Sequence, residues 1–186
     1  NAIAISTPAT NPRVTTGRAV KDMRTTLLAL GAAAAAVGFH ALSAQDTPRD
    51  RSHDIAWMNK QQSYLTGLTA QEGWHVMPGG LRWRHVDYAG SERKPSVEDR
   101  VTVHYAGTFI DGETFDSSFD RGEPATFPLG RLVKAWQMAI PQMGVGDTIE
   151  IATPADLAYG PAGKGPIPGG ATLLFTVKLL AIEPAA

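Results

Sequence analysis

The stretch RVTVHYAGTFIDGETFDSS, residues 100–118, predicts the centre of the fold. Its apolar side chains at Val101, Val103 and Tyr105 alternate with polar ones, which is the period of a strand with one buried face. Asp111-Gly112 is the strongest short signal for a hairpin, because both central residues of a type I′ turn need positive φ. The stretch therefore predicts two antiparallel strands joined by a type I′ turn.

The second strand of this hairpin carries an aromatic and an acidic side chain back toward the first. Phe115 and Asp116 end the hairpin, and the Ser117-Ser118 pair that follows suits a loop that hydrogen-bonds to itself. Tyr105 on one strand and Phe115-Asp116 on the other can therefore face one hollow, which the C-terminal half of the chain must complete.

Composition limits the classes of protein that this chain can form. Its 186 residues include 19 glycines and 13 prolines without a period, which favours a turn-rich β or α+β domain. The net charge is −1 overall, and residues 45–186 carry 13 basic against 17 acidic residues, or −4. This acidic balance argues against nucleic acid as the main partner. The absence of cysteine excludes disulfides and thiolate sites.

Residues 1–44 have the pattern of an upstream segment followed by a signal peptide. Met23 resembles a natural start, and basic residues precede the apolar run at residues 27–39, which is too short to span a bilayer. We expect cleavage after Ser43 or Ala44 and export, most simply to the periplasm. Two alternatives stay open, namely an Ala-rich helix docked on the domain and an uncleaved membrane anchor.

The remaining chain divides into a linker with a short helical arm at residues 45–79 and a domain at residues 80–186. Helical spacing favours a helix within residues 55–68 of the arm. In the domain, residues 81–88, 148–152 and 173–179 alternate as strands, and residues 132–140 predict one short helix. A Pro/Gly-rich loop at residues 153–170 is long enough to be functional. These elements predict an α+β fold in which a twisted antiparallel sheet wraps around the helix as a half-barrel.

The sequence contains no pattern that favours catalysis by a nucleophile or a metal. Ser117, Ser118, His104 and Asp116 lie close in sequence, but His104 and Tyr105 leave opposite faces of their strand. The chain has no GxSxG motif, no HExxH motif and no acidic loop of the calcium type, so no metal site is expected. What remains is an aromatic set, which fits either an ordinary β-domain core or an apolar pocket: Tyr105, Phe115, Phe127, Trp136, Tyr159 and Phe175.

Several motifs, taken together, resemble the FKBP-type peptidyl-prolyl cis-trans isomerases over residues 80–182. They are VTVHYAGTFIDGETFDSS, RGEPATFPLG, LVKAW, QMGVGD, PADLAYG and IPGGATLLFTVKLL. The resemblance implies five to six antiparallel strands curled around the short helix, with an apolar pocket between helix and sheet. It also implies that macrolide inhibitors bind there. Ala125, where some members carry a Phe, and Lys134-Ala135 before the Trp depart from common family patterns and put substrate preference in doubt.

The resemblance implies a role for each pocket residue. Trp136 is the expected floor beneath a proline ring, with Tyr105, Phe127 and Phe175 as walls. Phe115 and Asp116 line the mouth, with Arg121 near the Asp. Further expected contacts with the substrate come from Leu132 and Val133 at the start of the helix, Tyr159 on the long loop, and Ile167.

The implied reaction is rotation about X-Pro bonds in exported polypeptides. A dry aromatic pocket favours the twisted amide over the planar one, so no acid, base, nucleophile, metal or cofactor is required. Two alternatives are a non-catalytic binding module or holdase chaperone on the same fold, and an unrelated β-domain enzyme. The arm at residues 45–79 is either a dimerising element or a spacer. It is too short for a large helical dimerisation domain, so we expect a monomer.

Overall fold

The computed structural model describes residue 51 and residues 53–184. The predicted start at Met23, the signal peptide and its cleavage after Ser43 or Ala44 lie outside the described residues. Within the described part, no helix is both long and apolar enough to cross a membrane.

Seven antiparallel strands form one sheet in the described part of the chain. They are β1 (His75–Val76), β2 (Arg82–Asp87), β3 (Arg100–Phe109), β4 (Thr114–Ser117), β5 (Ala125–Pro128), β6 (Thr148–Thr153) and β7 (Leu173–Glu183). The order is β1-β2-β6-β7-β3-β4, and β5 also pairs with β3. The predicted α+β fold with an antiparallel sheet is confirmed. The count exceeds the predicted five to six because the two-residue β1 extends one edge.

Strand β3 organises the sheet. One side of it pairs with β7 along its whole length, while β5 and then β4 share its other side. Its side chains alternate between buried and half-buried, with Val101 and Val103 fully buried and Tyr105 only 8% exposed. Full burial of an apolar side chain such as that of Val101 or Val103 stabilises the fold by about 1.5–3 kcal/mol. The buried face of β3 therefore makes one wall of the core.

Three α-helices accompany the sheet: α1 (Ile55–Gly67), α2 (Ser118–Arg121) and α3 (Lys134–Ala139). Helix α3 contributes Ala135, Trp136 and Ala139 to the core beside the sheet. It begins two residues later than predicted, since Val133 is extended (φ −59°, ψ 150°). A 3₁₀ turn at Ile140–Gln142 follows, where Pro141 lacks the N–H that an α-helix needs.

The β3–β4 hairpin differs from its prediction. Gly112 N–H donates to Phe109 O (3.0 Å), and Phe109 N–H donates to Glu113 O (2.9 Å). These bonds define a three-residue loop with Gly112 (φ +91°) in the left-handed position of a bulge. The predicted type I′ turn centred on Asp111-Gly112 is therefore wrong, although the hairpin itself is present.

The described part of the arm packs against the sheet domain. Asp54 caps the start of helix α1, and its carboxylate accepts a hydrogen bond from Trp57 N–H (3.0 Å). Leu65 of α1 is buried with Trp74 and with Ala152 of β6. The Gln61 side chain, 3% exposed, accepts a hydrogen bond from Thr172 N–H (2.8 Å) at the start of β7. Residues 55–74 are thus anchored on the domain by both apolar and polar contacts.

Candidate active site

An apolar pocket of about 200 Å³ lies between the sheet, α3 and the long loop. Strands β3, β4, β5 and β7 contribute side chains to it, as do α3, the two residues before α3, and the loop. The structure brings together nine of the eleven predicted site residues here: Tyr105, Phe115, Asp116, Phe127, Leu132, Val133, Trp136, Tyr159 and Phe175.

The other two predicted residues border this pocket. Ile167 lines a shallow depression that shares Phe115, Asp116 and Tyr159 with the pocket. Arg121 extends from α2 and contacts Asp116 and Tyr105. All eleven predicted residues therefore lie in or beside one site.

Trp136 is one of the most deeply buried residues of the pocket. Its side chain belongs to the core, and the residue is 5% exposed. The rings of Tyr105, Phe127 and Phe175 lie 5.4, 6.4 and 5.5 Å from the indole, at interplanar angles of 79°, 79° and 90°. Such edge-to-face pairs are the favoured aromatic geometry and add about 0.5–1.5 kcal/mol each. The indole is thus held by three rings that are nearly perpendicular to it.

Gly107 of β3 gives Phe115 and Phe175 the space to pack over this strand. A Cβ at this position would lie 2.5 Å from Phe115 Cζ and 3.0 Å from Phe175 Cε1. These two rings form a T-shaped pair with centroids 5.8 Å apart. The glycine is thus a positioning residue for the pocket mouth. Sequence analysis missed it, because the clash becomes visible only when strands β4 and β7 flank β3.

A hydrogen-bonded network holds the polar edge of the pocket. Tyr105 Oη donates to Asp116 Oδ2 (2.5 Å), Arg121 pairs with Asp116 Oδ1, and Arg121 Nη2 donates to Tyr105 Oη (3.1 Å). The sequence suggested only that Asp116 and Arg121 form a pair. The tyrosine hydroxyl links that pair to the apolar interior.

The network shifts two pKa values in opposite directions. Burial raises the pKa of Tyr105, and its hydrogen bond to the Asp116 carboxylate raises it further. Burial also raises the pKa of Asp116, but hydrogen bonds from Tyr105 and Arg121 outweigh it, so the pKa is lowered overall. At neutral pH the site therefore contains a carboxylate and a neutral phenol, which is a poor arrangement for proton transfer.

Ser118 fixes the chain that carries Arg121. Its hydroxyl accepts a hydrogen bond from Tyr105 N–H (2.7 Å) and donates to Tyr105 O (3.2 Å), and the residue is fully buried. Ser117 caps α2 by accepting a hydrogen bond from Asp120 N–H (3.1 Å). Residues 118–121 are therefore a short helix rather than the predicted loop, and this helix directs Arg121 toward Asp116.

A hydrolytic triad is not assembled here. His104 Nδ1 lies 3.1 Å from Ser118 Oγ, and the imidazole stacks on Phe119 at 4.9 Å, on the strand face opposite Tyr105. Ser118 has no exposed surface, and the Asp116 carboxylate is engaged by Tyr105 and Arg121. No group of three or more histidine, aspartate or glutamate side chains that could bind a metal occurs in the part of the chain that the structure describes.

Two donors at the pocket wall are free to bind a ligand. Among the described residues, neither Val133 N–H nor the Tyr159 hydroxyl donates a hydrogen bond. Val133 precedes α3, and Tyr159 is held in a loop closed by Gly160 N–H donating to Ala155 O (2.8 Å). Burial raises the pKa of Tyr159, so its hydroxyl stays protonated at neutral pH.

The part of the chain that contains this site is similar to known proteins. The family model described as FKBP-type peptidyl-prolyl cis-trans isomerase matches residues 91–180, which include all eleven residues of the site. The crystal structure of FkpA from Escherichia coli superposes with a TM-score of 0.69 at 34% identity, covering 74% of this chain and 64% of that chain.

Two relatives define the extent of the similarity. The FKBP-type peptidyl-prolyl cis-trans isomerase FkpA of Aeromonas hydrophila is 46% identical over 128 residues, which cover 68% of this chain and 47% of that protein. A peptidyl-prolyl cis-trans isomerase of Schizosaccharomyces pombe is 45% identical over 107 residues, which cover 56% of this chain and 96% of that protein. The chain thus spans about half the length of the Aeromonas relative and nearly all of the Schizosaccharomyces one. By both its pocket and these matches, the chain belongs to the family of FKBP-type peptidyl-prolyl cis-trans isomerases.

Proposed function

We propose that this chain is a peptidyl-prolyl cis-trans isomerase that accelerates rotation about X-Pro bonds in exported polypeptides. One observation carries the proposal: a buried indole, with three aromatic rings perpendicular to it, forms one side of an open apolar pocket. Such a pocket suits a compact apolar ring, and proline is the residue whose own ring adjoins the bond that must rotate.

The reaction makes and breaks no covalent bond; it requires only that the X-Pro bond move from water into a different environment. Amide resonance opposes rotation by about 18–20 kcal/mol, and the uncatalysed X-Pro bond isomerises in tens of seconds or longer. Resonance places negative charge on the carbonyl oxygen, and water stabilises that charge in the planar state. An apolar pocket removes this stabilisation, and tighter binding of the twisted bond lowers the barrier further.

In this mechanism the polar side chains position the substrate and transfer no proton. Asp116, held as a carboxylate by Tyr105 and Arg121, fixes the Tyr105 ring as one wall of the pocket. Val133 N–H and the Tyr159 hydroxyl, which have no acceptor among the described residues, donate to carbonyl oxygens of the bound peptide. Leu132, Phe127 and Ile167 exclude water from the sides.

A peptide isomerisation assay with a matched pair of variants tests this function. Phe115→Ala removes a pocket ring, and Phe119→Ala removes an exposed ring that stacks on His104 outside the pocket. We expect kcat/KM to fall about tenfold or more in the first variant, a loss of about 1.4 kcal/mol, and to stay near wild type in the second. A wild-type chain that binds X-Pro peptides without accelerating their isomerisation would instead be a binding module or holdase.

Export is the second part of the proposal and is supported by the sequence pattern of residues 1–44. A basic flank, a short apolar run and small residues before Gln45 are typical of a secretory signal peptide. Cleavage near Ser43 or Ala44 would release the domain, in the simplest case into the periplasm, whereas an uncleaved segment would leave it anchored in the membrane. The mass of the protein recovered from that compartment distinguishes the two outcomes.

Two further expectations follow from the pocket and the arm. Macrolide inhibitors should compete with peptide, because they would occupy the same aromatic walls around Trp136. The chain should sediment as a monomer, because Leu65 and Trp74 of the arm are already buried against its own domain. Non-competitive inhibition or a concentration-independent dimer would contradict these expectations.

A further inference from the structure

The shallow depression near Ile167 continues the pocket beyond its mouth. It has a volume of about 330 Å³ and shares Phe115, Asp116 and Tyr159 with the pocket. A peptide whose proline ring packs on Trp136 must leave the pocket on both sides of that ring, because the ring is part of the backbone. The residue that adjoins the proline on the side of Tyr159 would therefore lie over this depression.

Lys164 places an ammonium group in this depression. Its Nζ lies 5.8 Å from the centroid of the Tyr159 ring, which is within the range of a cation–π contact. Among the residues that the structure describes, this ammonium forms no ion pair and donates no hydrogen bond. A positive charge without a counter-ion thus lies beside a ring that lines the pocket.

The backbone of Lys164 is fixed at the edge of the depression. Lys164 N–H donates to Ile167 O (2.9 Å), and Ile167 N–H donates to Lys164 O (2.9 Å). Ile167 itself is buried. Gly163 (φ +67°) has no room for a side chain, since a Cβ there would lie 2.1 Å from Ile167 O. The exposed Lys164 side chain therefore starts from a defined position next to the pocket.

The charges around the depression leave it positive. Of the described residues that line it, only Asp116 and Lys164 are charged. The Asp116 carboxylate is already paired with Arg121 and accepts a hydrogen bond from the Tyr105 hydroxyl. The charge of Lys164 is therefore not compensated, although residues 45–186 as a whole carry a net charge of −4. A carboxylate from outside the chain is the group that complements this depression.

We propose, resting on the proposed function, that Lys164 makes the isomerase selective for X-Pro bonds with an acidic side chain on a residue next to the proline. The carboxylate of that residue lies in the depression and pairs with the Lys164 ammonium, while the bond rotates at Trp136. A basic side chain at the same place is repelled. Lys164 thus determines specificity and has no part in the rotation itself.

Peptides that differ in one side chain measure this preference. Glutamate, glutamine or lysine is placed directly before the proline in one series and directly after it in a second. Glutamate and glutamine have nearly the same size, so the ratio of their kcat/KM values reports the effect of charge. In the series that places the side chain over the depression, we expect a ratio of about two to five, the value of an exposed ion pair, and a lower kcat/KM for lysine than for glutamine. In about 1 M salt, where the Debye length is about 3 Å, the ratio should approach one.

Variants of the full chain assign the preference to one residue, because the intrinsic isomerisation of each peptide cancels when ratios are compared between variants. Lys164→Gln should bring the ratio to about one, Lys164→Glu should invert it, and Lys164→Arg should keep it. Lys178→Gln is the matched control, since it removes the same charge from the chain. Lys178 of β7 lies opposite His104, on the sheet face away from the pocket, so the ratio should keep its wild-type value.

The outcomes separate this inference from the proposed function. A wild-type chain that isomerises all the peptides with a ratio near one in both series would overturn the inference and leave the proposed function intact. A preference for glutamate that persists in Lys164→Gln, or that disappears in Lys178→Gln, would also overturn it, because another charge or the net charge would then be responsible. A chain that accelerates none of the peptides would contradict the proposed function and the inference with it.

Discussion

Replacing Gly107 by alanine should displace the ring at the pocket mouth. Gly107 lies opposite Phe175 in β7 and opposite Asp116 in β4, so an added methyl group points into the Phe115–Phe175 pair. Its contacts of 2.5 and 2.7 Å with Phe115 Cζ and Cε2 fall short of an ordinary carbon contact, about 3.5–4.0 Å, so the ring must move about 1 Å. Such overpacking costs about 1–3 kcal/mol of stability.

The same displacement should lower activity as well as stability. A misplacement of about 1 Å in a positioning group can lower turnover as much as a hundredfold, so we expect kcat/KM for an X-Pro peptide to fall about ten- to hundredfold. Urea denaturation measures the stability of the same variant, and the activity assay is run where the variant is fully folded.

Gly67→Ala is the matched control, because a Cβ at the last residue of α1 meets no atom within 4 Å. It should leave kcat/KM unchanged and raise stability by about 0.4–1 kcal/mol, because alanine restricts the unfolded chain at a position whose backbone it can adopt. Wild-type stability in Gly107→Ala would contradict the packing described here. Reduced stability with wild-type kcat/KM would show that the position of Phe115 does not matter for turnover.

Three further predictions follow from the polar groups around the pocket. Tyr105→Phe should lower the free energy of unfolding, measured in urea, by about 1 kcal/mol, because it removes a hydrogen bond to the Asp116 carboxylate, which solvent partly screens. Tyr88→Phe, at an exposed position, should have no effect. Ser118→Ala should lower the free energy of unfolding by about 1–3 kcal/mol, because it leaves the buried Tyr105 N–H without an acceptor. Ser63→Ala, at an exposed position, should leave the free energy of unfolding unchanged, and equal stabilities of the two variants would contradict the role of Ser118. Because the folded-state pKa of Asp116 is lowered, its contribution to stability is complete above the ordinary carboxyl value and is lost only as the pH falls through the folded pKa. The pH profile of kcat/KM should therefore be flat from about pH 5 to 8, and a titration near neutrality that disappears in Asp116→Asn would contradict it.

Alternating burial made the sheet predictable. The period of Val101, Val103 and Tyr105 requires one buried face whatever the strand pairs with, and the structure buries that face. The aromatic site residues were identified by their place in family motifs, and the structure gathers them around Trp136. Their catalytic roles remain predictions.

Features that depend on distant partners could not be predicted. Asp111-Gly112 is compatible with both a two-residue and a three-residue loop, and only the hydrogen bonds of Phe109 distinguish them. Gln61 resembles a surface residue of a helix, yet it is buried and accepts a hydrogen bond from Thr172 N–H, 111 residues away. The sequence therefore leaves the arm as either a spacer or a dimerising element, and its packing against the domain is visible only in three dimensions.

The central claim is that a proline ring packs against Trp136 while its amide bond rotates. Exchange spectroscopy on an X-Pro peptide with a substoichiometric amount of the protein tests it most directly. We predict cross-peaks between the cis and trans proline signals that are absent without protein, together with nuclear Overhauser effects between proline ring protons and the Trp136 indole. Accelerated exchange without contacts to Trp136, or contacts without accelerated exchange, would contradict the account.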